Sequence, residues 1–173
     1  MAQINFKPIT MLNKIVLFFY VFTSSLSAQK IGPLLAKAFT SKDSTNYYFK
    51  RAKNAIASES DFAEYYFCKN ARCTDYNQPD SALIYGKIAL DKFLKIGKNG
   101  SALSVYNNIS NVYQSQGNYE KAIKTTLEGL QLAEKESNEY WEIMFTISLS
   151  NKYHNFESFA KGVYYGKDRK SVV

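Results

Sequence analysis

The feature that most constrains the fold of this 173-residue chain is an internal repeat of about 40 residues. The segments DSALIYGKIA and YEKAIKTTLEGL align so that Ala82 and Ala122 are 40 positions apart. Two weaker copies lie over residues 43–52 and 156–166. A repeat at a nearly fixed period predicts that the chain stacks copies of one supersecondary unit and builds its core between neighbouring copies.

The repeat copies and the segments between them have the residue spacing of helices. In the segment 103–116, Val105, Ile109 and Val112 fall at spacings of four and three, which place them on one helix face. The same reasoning predicts helices over 62–73 and 140–152. The chain has only eight Gly and three Pro, and so few breaker residues favour long helices over a many-turned β fold.

Clusters of breaker residues predict where these helices end. Residues 75–79, 117–118 and 154–155 predict tight turns, whereas residues 97–101 predict a longer break between units. Each unit is therefore predicted to be a helix, a tight turn, a second helix and a longer loop.

The middle unit resembles the tetratricopeptide repeat family, which has small and aromatic residues at set positions of two packed helices. The matching positions here and in the preceding unit are Tyr106, Ile109, Ser110, Tyr113, Gly117, Tyr119, Ala122, Gly129, Ala82 and Ala89. Thr126 departs from the family pattern, which has an aromatic residue at that place. The small residues would let two helices approach closely, and Gly117 would adopt the backbone conformation of the turn.

The resemblance implies an all-α fold, a right-handed α-solenoid of stacked helix-turn-helix units. The predicted array covers residues 43–169. It comprises a partial unit and three further units, over 43–58, 62–97, 101–136 and 140–169. A linker or partial helix over 29–42 would precede the array, and a short tail over 170–173 would follow it. Because no polar capping helix is evident after the last unit, a complete chain and a truncated one are both open at this point.

The first 28 residues predict a secretory signal peptide. Lys7 and Lys14 precede a short apolar run over 15–22, and small polar residues lead to a cleavage site after Ala28. An uncleaved membrane anchor and a buried N-terminal helix are the alternatives, and translation could start at Met1 or at Met11. We expect an exported protein, in the periplasm or at the outer surface of the inner membrane. Contact with a membrane would come only through this peptide or through a missing downstream segment.

No motif for catalysis, cofactor binding or metal binding is recognisable, so we expect a protein that is not an enzyme. Cys68 and Cys73 are five apart in a predicted helix, a spacing that turns their side chains away from each other and favours small buried packing residues or free thiols. His154 has no metal-ligand partner near it in the sequence. The net charge of +7 is spread without a Lys/Arg block, so we expect no nucleic-acid binding.

The resemblance implies a concave groove, lined by the first helix of each unit, that binds a protein or a peptide. The positions carried over to this chain are Glu64, Phe67, Asn107, Asn111, Gln114, Trp141, Met144 and Ser148. Asn side chains both donate and accept hydrogen bonds, so they could hold a peptide backbone of any sequence. Solvated helix residues, and a packing role for Trp141, are the alternatives.

The expected function is a non-catalytic scaffold that binds protein or peptide, as the exported sensor part of a signalling protein. The array is similar to the exported N-terminal arrays of bacterial membrane-tethered sensor regulators. The alternative is a fragment of a two-component or transcriptional regulator whose output domain lies outside this chain.

Overall fold

All regular secondary structure in the described part of the chain is helical. The computed structural model describes residues 31–41 and 43–168, with side chains up to Phe156. The helices are α1 (31–40), α2 (Thr45–Asn54), α3 (Glu59–Asp75), α4 (Pro79–Lys95), α5 (Asn99–Ser115), α6 (Tyr119–Lys135) and α7 (Glu139–Asp168). The predicted all-α class is confirmed. No helix among these residues has both the length and the apolar character needed to cross a bilayer.

The four turns between α3 and α7 repeat one local structure every twenty residues. Their left-handed residues are Asn77, Gly97, Gly117 and Ser137, with φ between 52° and 71°. At the third turn the N–H of Gly117 donates to the carbonyl of Gln114 and the N–H of Asn118 to that of Tyr113, both at 2.9 Å. This is the Schellman arrangement, which satisfies the last carbonyls of a helix and reverses the chain.

The uniform turns correct two boundaries predicted from the sequence. The predicted longer loop over 97–101 is a three-residue turn, because Gly97 alone ends α4 and α5 already begins at Asn99. The helix α5 therefore starts earlier than the predicted residue 103, and α3 begins at Glu59 rather than at the predicted residue 62. Each helix from α3 to α6 has 17 residues, and three residues join each of them to the next helix. The predicted alternation of short and long connections is therefore not found.

The predicted turn at His154 and Asn155 is not found, because α7 continues through both residues to Asp168. Neither residue is Gly or Pro, and the twenty-residue spacing of the other turns points to position 157, where the sequence has Glu. The predicted second helix of the last unit is therefore part of one long helix.

Ser137 allows a direct test of the turn geometry. Its φ of 52° is unfavourable for a residue with a Cβ atom, whereas Gly97 and Gly117 adopt the same region without this penalty. We expect Ser137→Gly to raise the free energy of unfolding by about 1 kcal/mol in urea titrations. As the control, Gly117→Ala should lower it by a similar amount. A destabilised Ser137→Gly variant would contradict this assignment.

The described part of the chain separates into two compact units, one that ends at Asp61 and one that begins at Phe62. In the first unit, the buried apolar residues are Ile31, Leu35 and Ala38 on α1 and Phe49 and Ala52 on α2. Their spacings of three and four give each helix one apolar face. The predicted linker or partial helix over 29–42 is thus helical over residues 31–40. The predicted signal peptide, residues 1–28, lies outside the described residues.

In the second unit, each core cluster joins three successive helices. One cluster contains Ala63 of α3, Phe93 of α4 and Val105 of α5. The next contains Leu103 of α5, Ala133 of α6 and Phe145 of α7. Since α5 contributes to both clusters through different faces, the core passes continuously along the helices. This is the nearest-neighbour packing expected of a helical repeat.

Small residues lie where the helices of the second unit approach most closely. Ser110 and Ala122 are fully buried, and Gly129 of α6 packs against the ring of Phe145. Gly86 of α4 also lies at a close approach, since a Cβ atom there would be 2.9 Å from a side-chain carbon of Ile109. This position is not among those predicted from the sequence. Thr126 stands where the family pattern has an aromatic residue. Its buried hydroxyl donates a hydrogen bond to the carbonyl of Ala122 at 2.8 Å.

Candidate functional site

The first helices of the predicted units are neighbours in space, because α3 and α7 each contact α5 directly. The side-chain amide of Asn108 on α5 donates to the amide oxygen of Asn70 on α3 at 3.1 Å. The ammonium of Lys152 on α7 donates to the amide oxygen of Asn111 on α5, also at 3.1 Å. Alternate helices therefore lie side by side, and the positions predicted for a groove belong to adjoining helices.

Three of the predicted groove residues take part in packing or in an ion pair. Phe67 lies edge-on to Phe93, with ring centroids 6.2 Å apart. The ring centroids of Trp141 and Phe145 are 5.4 Å apart, and Trp141 packs against the core cluster that α5, α6 and α7 form. Glu64 pairs with Lys98 at 3.3 Å, and both side chains are close to half exposed. Their contacts fit the alternative in which Trp141 packs, and they leave these residues less available to a ligand.

Three other predicted positions remain available. Asn107 and Gln114 on α5 are half-buried, and their side-chain amides have no hydrogen-bond partner within the part of the chain that the structure describes. Met144 on α7 is 37% exposed. Asn107 and Gln114 are seven positions apart, about two helical turns, so their amides lie on one side of α5.

The remaining two positions, Asn111 and Ser148, converge on a lysine that the sequence analysis missed. Lys152 is 1% exposed, and its ammonium donates to the hydroxyl of Ser148 at 2.6 Å as well as to Asn111. Among the described side chains, no carboxylate forms an ion pair with it. Burial lowers the pKa of Lys152 to about 8, because desolvation disfavours the charged form.

A signal for Lys152 was present in the repeat itself. Lys152 follows Val112 by 40 positions, and Val112 is 2% exposed in α5. A register that continued the 40-residue period through α7 would have placed this lysine at a buried position. The last repeat copy, residues 156–166, instead follows residues 119–129 by 37 positions, and this shorter offset concealed the buried position of Lys152.

Asn70 forms a second buried polar link. It is fully buried, and its amide nitrogen donates to the carbonyl of Ala82 on α4 at 2.8 Å while its oxygen accepts from Asn108. Both ends of this amide are thus satisfied, which is the condition for placing it in the core without a large penalty. Asn70 connects α3, α4 and α5, and we assign it a structural role.

The cysteines do not form a reactive site. Both are free thiols, and burial raises the pKa of Cys68 to about 11 and also raises that of Cys73. A raised pKa keeps the thiol protonated at neutral pH, which disfavours nucleophilic chemistry. Within the described residues, no group of three or more His, Cys, Asp or Glu side chains is arranged to hold a metal ion.

Comparisons with protein-family models and with the curated proteins found no match for this chain.

Proposed function

We propose that this chain is a non-catalytic peptide-binding scaffold of the tetratricopeptide repeat type, a right-handed α-solenoid. The observation that supports the proposal most directly is the side-by-side contact of α3, α5 and α7, made through Asn70–Asn108 and Asn111–Lys152. In a stacked helical repeat, such adjoining first helices present one extended surface for a partner.

The unengaged polar groups on this surface suit a peptide backbone. Asn107 and Gln114 each offer both a donor and an acceptor, the pair of functions that a peptide group presents in return. Met144 adds a flexible apolar contact that adapts to different side chains. We therefore propose that the amides of α5 bind the main chain, while Met144 contacts a side chain of the ligand.

Selection of peptides from a random phage-displayed library on the immobilised chain would test this proposal. For the selected peptides we expect Asn107→Ala to weaken binding about tenfold, a loss of about 1.4 kcal/mol, because a buried peptide group loses its partner. Gln131→Ala is the matched control. Gln131 is an exposed amide on α6, away from the proposed surface, and its replacement should leave the affinity unchanged.

Two results would overturn the proposal. One is a library that yields no saturable binder. The other is a set of binders that Asn107→Ala and Gln131→Ala weaken equally, since that would place the peptide elsewhere. Export and a role in a signalling protein stay predictions from the sequence.

A further inference from the structure

A cavity of about 330 Å³ lies between α4, α5 and α6, and residues of all three helices line it. Its volume is at the lower end of the range of small-molecule sites, which is about 300–1,000 Å³. The lining includes none of the positions predicted for the peptide surface. The cavity is therefore a separate candidate site.

The lining combines an apolar part with two phenol rings. Leu90 of α4 and Ile109 of α5 are apolar, and Ile109 is almost fully buried. Tyr106 and Tyr113, also on α5, are half-buried and contribute one ring each. The sequence predicts only a repeat-packing role for these two tyrosines. Because both rings line the cavity, the apolar part of a ligand could pack against them there.

Three exposed lysines also line the cavity. Lys87 comes from α4, whereas Lys121 and Lys124 come from α6. No described carboxylate forms an ion pair with any of them, and the ammonium of Lys121 lies 5.7 Å from the ring centroid of Tyr113. Glu128 is the one carboxylate in the lining, so positive charge predominates. A cavity lined by an excess of positive charge attracts an anion.

The hydroxyl of Tyr106 can add a hydrogen bond to the same ligand. Burial raises the pKa of Tyr106, and the negative charge of Glu128 raises it further. The phenol therefore keeps its proton at neutral pH and is able to donate to an anionic oxygen. A cationic rim, a donor and an aromatic wall together suit a molecule with a flat apolar body and a charged head.

We propose that this cavity binds a small organic anion, with its apolar body against Tyr106 and Tyr113 and its carboxylate, sulfonate or phosphate group among Lys87, Lys121 and Lys124. The anionic head is the chemistry that these three forms share. This binding goes beyond the peptide surface on α3, α5 and α7, and either function can fail without the other.

Naphthalene-2-sulfonate is a suitable probe, because it has the flat body and the charged head in one rigid molecule. In a titration of the full chain followed by NMR, we expect saturable shifts at Tyr106, Tyr113 and Thr125. The double variant Lys87→Met with Lys124→Met should bind the probe about tenfold more weakly. Lys95→Met is the control on α4 and should bind normally, because Lys95 is exposed and already pairs with Asp91 at 2.9 Å.

A second measurement uses the unaltered protein and so does not depend on how the variants fold. The neutral analogue naphthalene-2-methanol should bind the wild type about tenfold more weakly than the sulfonate does. The proposal is overturned if the shifts are not saturable at the three cavity residues. It is equally overturned if the neutral analogue binds as tightly as the sulfonate, or if the lysine changes leave sulfonate affinity unaltered.

Discussion

Replacing Lys152 by Met should raise the free energy of unfolding by about 2 kcal/mol at pH 7, since a buried charge without a carboxylate partner costs more than its hydrogen bonds return. The side chain is 1% exposed, and its ammonium has only the neutral partners Asn111 and Ser148 among the described residues. Met has a similar length and needs no hydration. Asn111 is exposed and can turn to water when the ammonium is removed.

The free energy of unfolding that Lys152→Met gains over the wild type should depend on pH between about 8 and 10.5. In the folded protein the pKa of Lys152 is lowered from 10.5 to about 8. Between these values the unfolded chain binds the proton that the folded protein has released, so the stability contributed by this group rises with pH. The difference between Lys152→Met and wild type should therefore be constant below about pH 8. It should then shrink as the pH approaches 10.5.

Urea titrations at a series of pH values from 6 to 10 measure this difference. The other titrating groups, including Cys68 and Tyr106, are common to both proteins, so their effects cancel in the comparison. Lys135→Met changes the same residue type at an exposed position of α6, and we expect a change within about 0.5 kcal/mol without this pH dependence. A Lys152→Met variant that is less stable at every pH would show that the lysine stabilises the contact between α5 and α7.

Gly129→Ala should destabilise the fold by about 1–2 kcal/mol, although alanine is the better helix former. A Cβ atom at this position would lie 2.5 Å from Cζ and 2.8 Å from Cε1 of Phe145. That ring is fully buried and also contacts Trp141. It therefore cannot move aside without disturbing the core cluster that α5, α6 and α7 form. Overpacking of this kind costs about 1–3 kcal/mol, which exceeds the roughly 1 kcal/mol gained in helix propensity.

The same substitution at Gly100 is the matched control. Gly100 lies in the first turn of α5, and no atom would lie within 4 Å of an added Cβ. Gly100→Ala should therefore raise the free energy of unfolding by up to about 1 kcal/mol. Opposite signs for the two variants in urea titrations are the expected result. If both variants were stabilised, α6 and α7 would be farther apart than the contact of Gly129 with Phe145 indicates.

A double-mutant cycle can attribute the cost to this contact. Phe145→Leu removes the ring atoms nearest to the added Cβ, at the usual cost of a smaller core residue. In the Phe145→Leu background, Gly129→Ala should be close to neutral. The coupling free energy should be about 1 kcal/mol or more, because the two residues touch.

The sequence by itself determined the helical class and most of the helix positions, because these depend on local chemistry. The spacing of Val105, Ile109 and Val112 forms a helix face wherever the chain lies. Gly97 and Gly117 adopt a left-handed backbone without strain, so the turns at both residues could be located. At Ser137 a less suitable residue takes the same conformation, although the predicted unit boundaries at 136 and 140 do place a break there. The same local reasoning was wrong at His154, where α7 continues.

Only the tertiary structure decided which side chains are buried, which remain available and which meet. Lys152 is buried because α7 lies against α5; the residues next to it do not indicate this, and the sequence offers only its 40-residue spacing from Val112. Trp141 packs against the core, whereas Asn107 stays available, although the sequence predicts both residues for one groove. Lys87 and Lys124 come from helices separated by α5 in the sequence, and only the packing of those helices places both beside one cavity. Burial and proximity depend on contacts between distant residues, whereas helix and turn formation depends on neighbours within a few positions.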